Sequence, residues 1–248
     1  MKKSFFFITL VGVSAVLLTM LSSPTHAQDI SISLGDDGSL AARSIQLLVL
    51  ITVLSVVPGL AIMITCFPFI VTVLAILRQA IGLQQSPPNM LIISLALFLT
   101  YFVMEPVFTQ AWATGVEPLI NNQISVEQSF TQAMLPFREF MAARVDPDAL
   151  ETLVSLRPDA VLDGETAQQP LSLLVPSFLL SEIGRAFEVG FLVFLPFLII
   201  DLVVAAILMS MGMMMVPPAI VSLPFKLAFF VVADGWSLIS GALVRSYF

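Results

Sequence analysis

The residues with the most unusual chemistry form a methionine-rich stretch between two long apolar runs. A glycine and two adjacent prolines lie within it, and they stop a helix because proline lacks a backbone donor and restricts the residue before it. Five of the chain's 12 methionines lie here. The stretch, called the Met turn below, contains Met209, Met211, Gly212, Met213, Met214, Met215, Pro217 and Pro218.

Thioether side chains at such a turn have three interpretations. They pack an ordinary helix end, they form a soft constriction that closes around whatever passes, or they bind Cu(I), which prefers soft sulfur ligands. A copper site usually has histidine or cysteine nearby, and the chain holds one of each, His26 and Cys66. Residue types alone therefore disfavour copper and leave packing and constriction open.

Charged side chains inside the apolar runs are the second group of candidates, because charges at membrane depth are costly and usually face protein or water. Asp201 lies as far before the middle of the Met turn as Lys226 lies after it, so a hairpin would place both at one depth. Glu182 and Arg245 have the same relation. The spacing predicts two structural ion pairs; the alternative is a polar rim of a conduit or a proton relay.

The composition is that of an integral membrane protein. Of 248 residues, 58% are hydrophobic and 11% are charged, with a mean hydropathy of +1.01, whereas about a quarter of a soluble domain is charged. The sequence has no P-loop, HExxH or GxSxG motif, and His26 lies in a segment predicted to be removed. We therefore predict no enzymatic activity and no cofactor. The net charge of −7 comes mostly from one polar segment and indicates no nucleic-acid partner.

Residues 1–27 predict a cleavable signal peptide. Two lysines, an apolar run from Phe5 to Leu21, and small residues at Thr25 and Ala27 follow one another in the required order. Cleavage before Gln28 would leave residues 28–44 as a polar periplasmic N-terminus. The alternative is a retained anchor helix.

The rest of the chain predicts an all-α membrane protein with two kinked apolar helical hairpins. The first covers residues 45–112: no charge occurs from Ile45 to Leu77, a run longer than the ~20 residues that cross a bilayer. Pro58 and Pro68 are expected to kink it, and Arg78 favours a cytoplasmic connector. The second hairpin covers residues 176–248 and contains the Met turn.

Between the hairpins, residues 113–175 predict a small helical periplasmic insert. This is the only long polar stretch apart from the N-terminus. Ser125 and Gln128 have the spacing of a capping box. Asp146 and Pro147 supply an N-cap and a first helical position for a second, shorter helix.

Several motifs, in this order along the chain, resemble those of the FliP family, the flagellar member of the type III secretion export-gate proteins, related to the SctR proteins of injectisomes. They are GLQQSPPN at 82–89, LALFLT at 95–100, PSFLLSE at 176–182, the Met turn, LPFKL at 223–227 and ADGW at 233–236. The resemblance covers about Ile45 to the C-terminus. Two positions depart from it: Phe69 stands in a stretch that is usually polar and basic, and Gly184 stands where relatives tend to have lysine.

The resemblance implies a structural subunit of a protein-export gate. FliP-like chains assemble in several copies with FliQ-like and FliR-like subunits, in the inner membrane at the flagellar basal body, among membrane lipid. Unfolded flagellar export substrates pass through the assembly. The Met turn carries over as the gasket of the closed pore, best placed at Met213, Met214 and Met215. A small-solute or metal membrane transporter is the alternative function, and an intramembrane protease is a more distant one.

Overall fold

The computed structural model describes residues 40–83, 87–157, 165–213 and 215–248, and all regular secondary structure in these ranges is helical. The predicted signal peptide, residues 28–39 of the predicted polar N-terminus, and Met214 lie outside the described residues. The chain divides into two units, Met1–Thr52 and Val53–Phe248. In the first unit, the structure describes the start of one helix.

Nine α-helices form the described part of the chain, in the following order. They are α1 (Leu40–Met63), α2 (Phe67–Ile81), α3 (Asn89–Ala111), α4 (Glu117–Ile120), α5 (Val126–Ala142), α6 (Pro147–Ser155), α7 (Leu171–Ser210), α8 (Pro218–Val232) and α9 (Gly235–Arg245). A π-helical segment, Trp112–Val116, connects α3 to α4, and a 3₁₀ turn, Thr166–Gln168, precedes α7.

Three of the described helical segments are long and apolar enough to cross a bilayer: Ser44–Met63, Asn89–Ile120 and Leu171–Ser210. Helices α8 and α9 pass the same test as a pair, although they are bent by 61° at the break between them. These segments confirm the predicted all-α membrane protein.

The uncharged run from Ile45 to Leu77 is two helices rather than one kinked helix. Helix α1 ends at Met63 and contains Pro58, whereas α2 begins at Phe67. Pro68 stands at the start of α2, where its missing N–H removes no helical hydrogen bond. The Thr65 hydroxyl donates to the Ile62 carbonyl at 2.7 Å and closes the intervening turn. The sequence therefore gives a full break where a kink was expected.

Helix α2 lies at the centre of the main core. Its buried side chains include Phe69, Ile70, Val73, Leu74 and Leu77, which recur at the spacing of a helix. They pack together with buried residues of α3, α7, α8 and α9. At its C-terminal end α2 meets the α7–α8 hairpin, where Lys226 Nζ donates to the Ala80 carbonyl.

No break was predicted after α8 within the second hairpin. Asp234 adopts the left-handed conformation, with φ of +47°, and α9 begins at the next residue, Gly235. A Cβ at Gly235 would lie 2.1 Å from Cε2 of the Phe230 ring. A residue without a side chain is therefore needed where the chain turns closely around this aromatic ring.

The predicted insert contains the expected helix starts. Gln128 donates its backbone N–H to Ser125 Oγ at 3.3 Å, and Ser125 N–H donates to Gln128 Oε1 at 3.1 Å, which confirms the capping box. Asp146 Oδ1 accepts from the Asp148 N–H at 3.3 Å at the start of α6. The Ser129 hydroxyl, on α5, donates to the Gly115 carbonyl at 2.9 Å and joins α5 to the π-helical segment.

Candidate functional site

The Met turn begins with a defined helix-ending motif on α7. Gly212 has φ of +75°, and its N–H donates to the Met209 carbonyl at 3.0 Å. The Met213 N–H donates to the Leu208 carbonyl, also at 3.0 Å. This pair of bonds is the Schellman motif, which ends a helix on a left-handed residue and satisfies carbonyls that have no helical partner. The backbone entering the Met turn is thus fixed by Gly212, and the side chains are left free for another role.

The methionine side chains of the turn face away from this chain's core. Met209 is 61% exposed, Met211 65% and Met215 96%, while Met213 is 39% exposed. Met214 lies outside the described residues. Packing of the chain's own helix ends would bury these side chains, so within the described part of the chain that interpretation does not explain them.

An apolar groove leads from the turn between α7 and α8. It has a volume of about 510 Å³ and is lined by aliphatic side chains together with Phe225, Met211 and Met213. Two of the turn's methionines therefore continue an apolar surface that runs along both arms of the hairpin.

Behind the turn, the structure brings Asp201 and Lys226 together. Lys226 Nζ lies 2.6 Å from Asp201 Oδ2, and the Lys226 side chain is 7% exposed while that of Asp201 is 34% exposed. A charged ammonium this deeply buried needs a counter-ion and hydrogen-bond acceptors. The pair joins α7 to α8. Asp201 lies about 12 Å before Met209 along α7, at 1.5 Å of rise per residue.

Two further groups complete this site, and neither was singled out from the sequence. The Ser222 hydroxyl, one turn before Lys226 on α8, donates to Asp201 Oδ1 at 2.5 Å. Lys226 Nζ also donates to the backbone carbonyl of Ala80 at 3.1 Å, in the last turn of α2. The helical spacing of Ser222 and Lys226 could have indicated the first contact. No sequence signal indicates the second, since 146 residues separate its partners.

Glu182 pairs with a different arginine from the one that the sequence suggested. Its Oε1 lies 2.8 Å from Arg144 Nε, and its side chain is fully buried. Arg245 is exposed in the last turn of α9 and makes no ion pair among the described residues. Arg144 follows α5, so the buried carboxylate of α7 anchors the insert to the apolar helices.

The C-terminal residues close the same cluster. Arg144 Nη1 donates to the Ser246 carbonyl at 2.9 Å, and its guanidinium lies 4.0 Å from the centre of the Tyr247 ring. The Tyr247 hydroxyl donates to Glu182 Oε2. Burial, and then the nearby Glu182 carboxylate, raise the pKa of Tyr247 far above its usual range, so the phenol keeps its proton. Phe69 packs edge-on against the same ring, with centroids 5.7 Å apart.

The remaining candidates are placed less specifically. Pro217 and Pro218 start α8, with Pro217 as N-cap. Gly184 is exposed, and an added Cβ would meet nothing within 4 Å. Within the ranges that the structure describes, no three His, Cys, Asp or Glu side chains group together as metal ligands would.

The sequence is similar throughout most of its length to one family of proteins. The FliP family matches residues 50–243. The flagellar biosynthetic protein FliP of Caulobacter vibrioides is 49% identical over 238 residues, covering 95% of this chain and 88% of that protein. The protein of the same name from Rhizobium meliloti is 48% identical, covering 85% of this chain and 86% of that protein. The one from Bacillus subtilis is 43% identical, covering 88% of this chain and 98% of that protein. The chain therefore belongs to the FliP family.

Proposed function

We propose that this chain is a structural subunit of the flagellar type III protein-export gate in the bacterial inner membrane. Its relatives are named flagellar biosynthetic proteins, and its apolar helices suit a membrane assembly. In this proposal several copies assemble with FliQ-like and FliR-like subunits, and unfolded flagellar proteins leave the cytoplasm through the conduit. The chain serves as a scaffold and seal rather than as an enzyme.

The exposure of the Met turn is the observation that carries this proposal. Met209, Met211 and Met215 project from the end of an α7–α8 hairpin, and Gly212 fixes the backbone that presents them. Large apolar side chains in such a position favour contact with other molecules over contact within the chain. Copies of the turn brought together around an axis would form a ring of thioethers, with Met213, Met214 and Met215 nearest its centre.

A methionine ring has the physical properties that a gate for unfolded chains requires. An opening wide enough for a polypeptide would leak ions when idle, so the seal must close on itself and still yield to varied side chains. Methionine is unbranched and has three flexible torsions, so it re-packs around different shapes. An apolar constriction also excludes ions by dewetting.

The two buried polar clusters support the proposed topology. Asp201 and Lys226 join the arms of the hairpin behind the seal, and Glu182 joins α7 to Arg144 of the insert. Arg144 also bonds to the Ser246 carbonyl. A periplasmic insert therefore requires the C-terminal residues to lie on the periplasmic side as well, with the Met turn at the opposite end of the hairpin.

The proposal is tested by coexpressing the chain with its FliQ-like and FliR-like partners. A mild-detergent extract examined by native mass spectrometry should contain one assembly holding several copies of this chain together with both partners. A strain that lacks the chain should stop secreting flagellar subunits and should recover when the gene is restored. A chain that purifies alone and binds a small solute or metal, while secretion continues without it, would favour the transporter instead.

A further inference from the structure

We propose that Lys226 is a positioning residue that fastens the α7–α8 hairpin to the C-terminal end of α2, in addition to neutralising Asp201. The inference rests on the proposed function of the Met turn as a seal. In this proposal Lys226 and Ser222 support the seal, because they hold the hairpin in position against the C-terminal end of α2.

The Ala80 carbonyl lies in the last turn of α2. The last four carbonyls of a helix have no partner within it, and the cost of leaving such a group unpaired is largest when it is buried. Ala80 is fully buried in the core, one residue before the end of α2. Lys226 Nζ donates to its carbonyl at 3.1 Å. A cation is favoured here because the C-terminal end of the helix dipole is negative.

The Lys226 ammonium group contacts two other helices. One Nζ contacts Asp201 on α7 at 2.6 Å and Ala80 on α2 at 3.1 Å, while its own chain belongs to α8. Three helices therefore meet at one charged group that is almost fully buried. Ser222 holds the other Asp201 oxygen, so the carboxylate keeps a fixed orientation toward the ammonium.

Helix α2 ends beside this ammonium group. Gly82 has φ of +87°, and its N–H donates to the Gln79 carbonyl at 3.1 Å. A Cβ placed on Gly82 would lie 3.5 Å from Leu223 Cδ1 and 4.0 Å from Lys226 Nζ. The hairpin thus lies directly against the turn that starts the connector between α2 and α3. A movement of the hairpin would be transmitted to that turn through Lys226.

The two roles of Lys226 predict opposite effects of removing it after Asp201 has been neutralised. If the lysine only balances the charge of Asp201, then in an Asp201→Asn background it becomes a buried charge without a counter-ion. Adding Lys226→Met should then stabilise the protein and slow the exchange of its backbone amides. If it also caps α2, its bond to the Ala80 carbonyl survives in Asp201→Asn, although the ammonium has lost its counter-ion. Adding Lys226→Met should then remove that bond and loosen the end of α2 further.

The test is hydrogen–deuterium exchange of residues 78–83 in the assembled complex, read by mass spectrometry. Asp201→Asn leaves the ammonium without its counter-ion but keeps the bond to Ala80, and it sets the reference exchange rate. Asp201→Asn with Lys226→Met should exchange faster than this reference by about tenfold or more, since hydrogen bonds from a charged donor are among the stronger ones. Lys226→Arg keeps the charge and the donors, so residues 78–83 should continue to exchange slowly in that variant.

Ion leakage through the same complexes is the second measurement. The double variant should leak more than Asp201→Asn, while Lys226→Arg should stay tight. Exchange in the double variant that is no faster than in Asp201→Asn would overturn the cap. If the cap is correct but the Met turn is no seal, exchange will follow the prediction and no variant will leak, so the two failures are distinguishable. Should the double variant fail to assemble, the same pair of variants is compared by exchange of residues 78–83 in the purified chain in mixed micelles.

Discussion

Replacing Arg144 by methionine should destabilise the chain strongly, because it leaves the buried Glu182 carboxylate without its cation. Removing one partner of a buried ion pair typically costs ~3–5 kcal/mol. The guanidinium also lies 4.0 Å from the centre of the Tyr247 ring, and a cation–π contact adds ~0.5–2 kcal/mol. Tyr247 continues to donate to the carboxylate, which lowers the cost. We therefore expect a loss of about 3 kcal/mol in the free energy of unfolding, at the lower end of that range.

The assay is unfolding of the purified protein in mixed micelles by titration with a denaturing detergent. Arg245→Met is the matched control, since Arg245 is exposed, and a surface substitution usually changes stability by less than ~0.5 kcal/mol. Arg144→Met combined with Glu182→Met removes both charges and should cost less than the sum of the single variants by ~1–3 kcal/mol. Recovery should be incomplete because Tyr247 then loses its acceptor.

Equal losses for Arg144→Met and Arg245→Met would refute this reasoning. They would mean that Glu182 does not depend on Arg144 for its counter-ion, and a larger loss for Arg245→Met would mean that Glu182 pairs with the arginine of α9, as counting from the Met turn suggests. Strictly additive losses of Arg144→Met and Glu182→Met would show that the two side chains do not interact.

Three further substitutions test the packing and the electrostatics. Gly212→Ala should cost about 1 kcal/mol in the same assay, since φ of +75° disfavours any side chain, whereas Gly59→Ala, in open space inside α1, should cost nothing. Gly190→Val should impair assembly unless Ile76→Ala accompanies it, because a Cβ at Gly190 would lie 2.4 Å from Ile76 Cδ1. Folding raises the pKa of Tyr247, so above pH ~10 the unfolded chain binds fewer protons than the folded chain. The free energy of unfolding therefore falls as the pH rises above ~10. Tyr247→Phe should make this fall shallower in a measurement of stability against pH.

Counting residues from the Met turn works for one pair of charges and fails for the other. Asp201 and Lys226 lie on the two arms of the hairpin, where equal residue numbers give equal rise along the two helices. Arg245 lies beyond the 61° bend between α8 and α9, so its distance from the turn no longer measures its depth. The Asp234-Gly235 pair was the available signal for that bend, since both residue types tolerate or favour left-handed and tight backbone positions.

Local signals predicted local structure well. The capping box at Ser125 and the N-cap at Asp146 depend on residues two or three positions away, so their chemistry is complete within the sequence window. The all-α membrane class follows from composition and from the length of the apolar runs. Pro68 marked the start of α2, although a proline in an apolar run is equally compatible with a kink inside a helix.

The contacts that fix the site are long-range and could not be predicted in this way. Arg144 is 38 residues from Glu182 and 102 from Ser246. The Ala80 carbonyl belongs to the backbone, so no residue type indicates it as the acceptor of a lysine. Such contacts are determined by how the helices pack, and a single sequence contains no periodicity that reports them.

We propose that methionines at the end of the α7–α8 hairpin seal an idle export conduit. The most direct measurement is leakage of ions or a small dye from liposomes that contain the assembled complex, with Met213, Met214 and Met215 changed together to alanine or to serine. Met90, which is 79% exposed at the start of α3, is the matched control when changed in the same two ways.

Alanine should shorten the seal and serine should also wet it, so both triple variants should assemble and leak, and serine should leak more. The Met90 variants should stay tight. Triple variants that assemble normally and remain as tight as the wild type would contradict the account and would leave the methionines as packing between subunits.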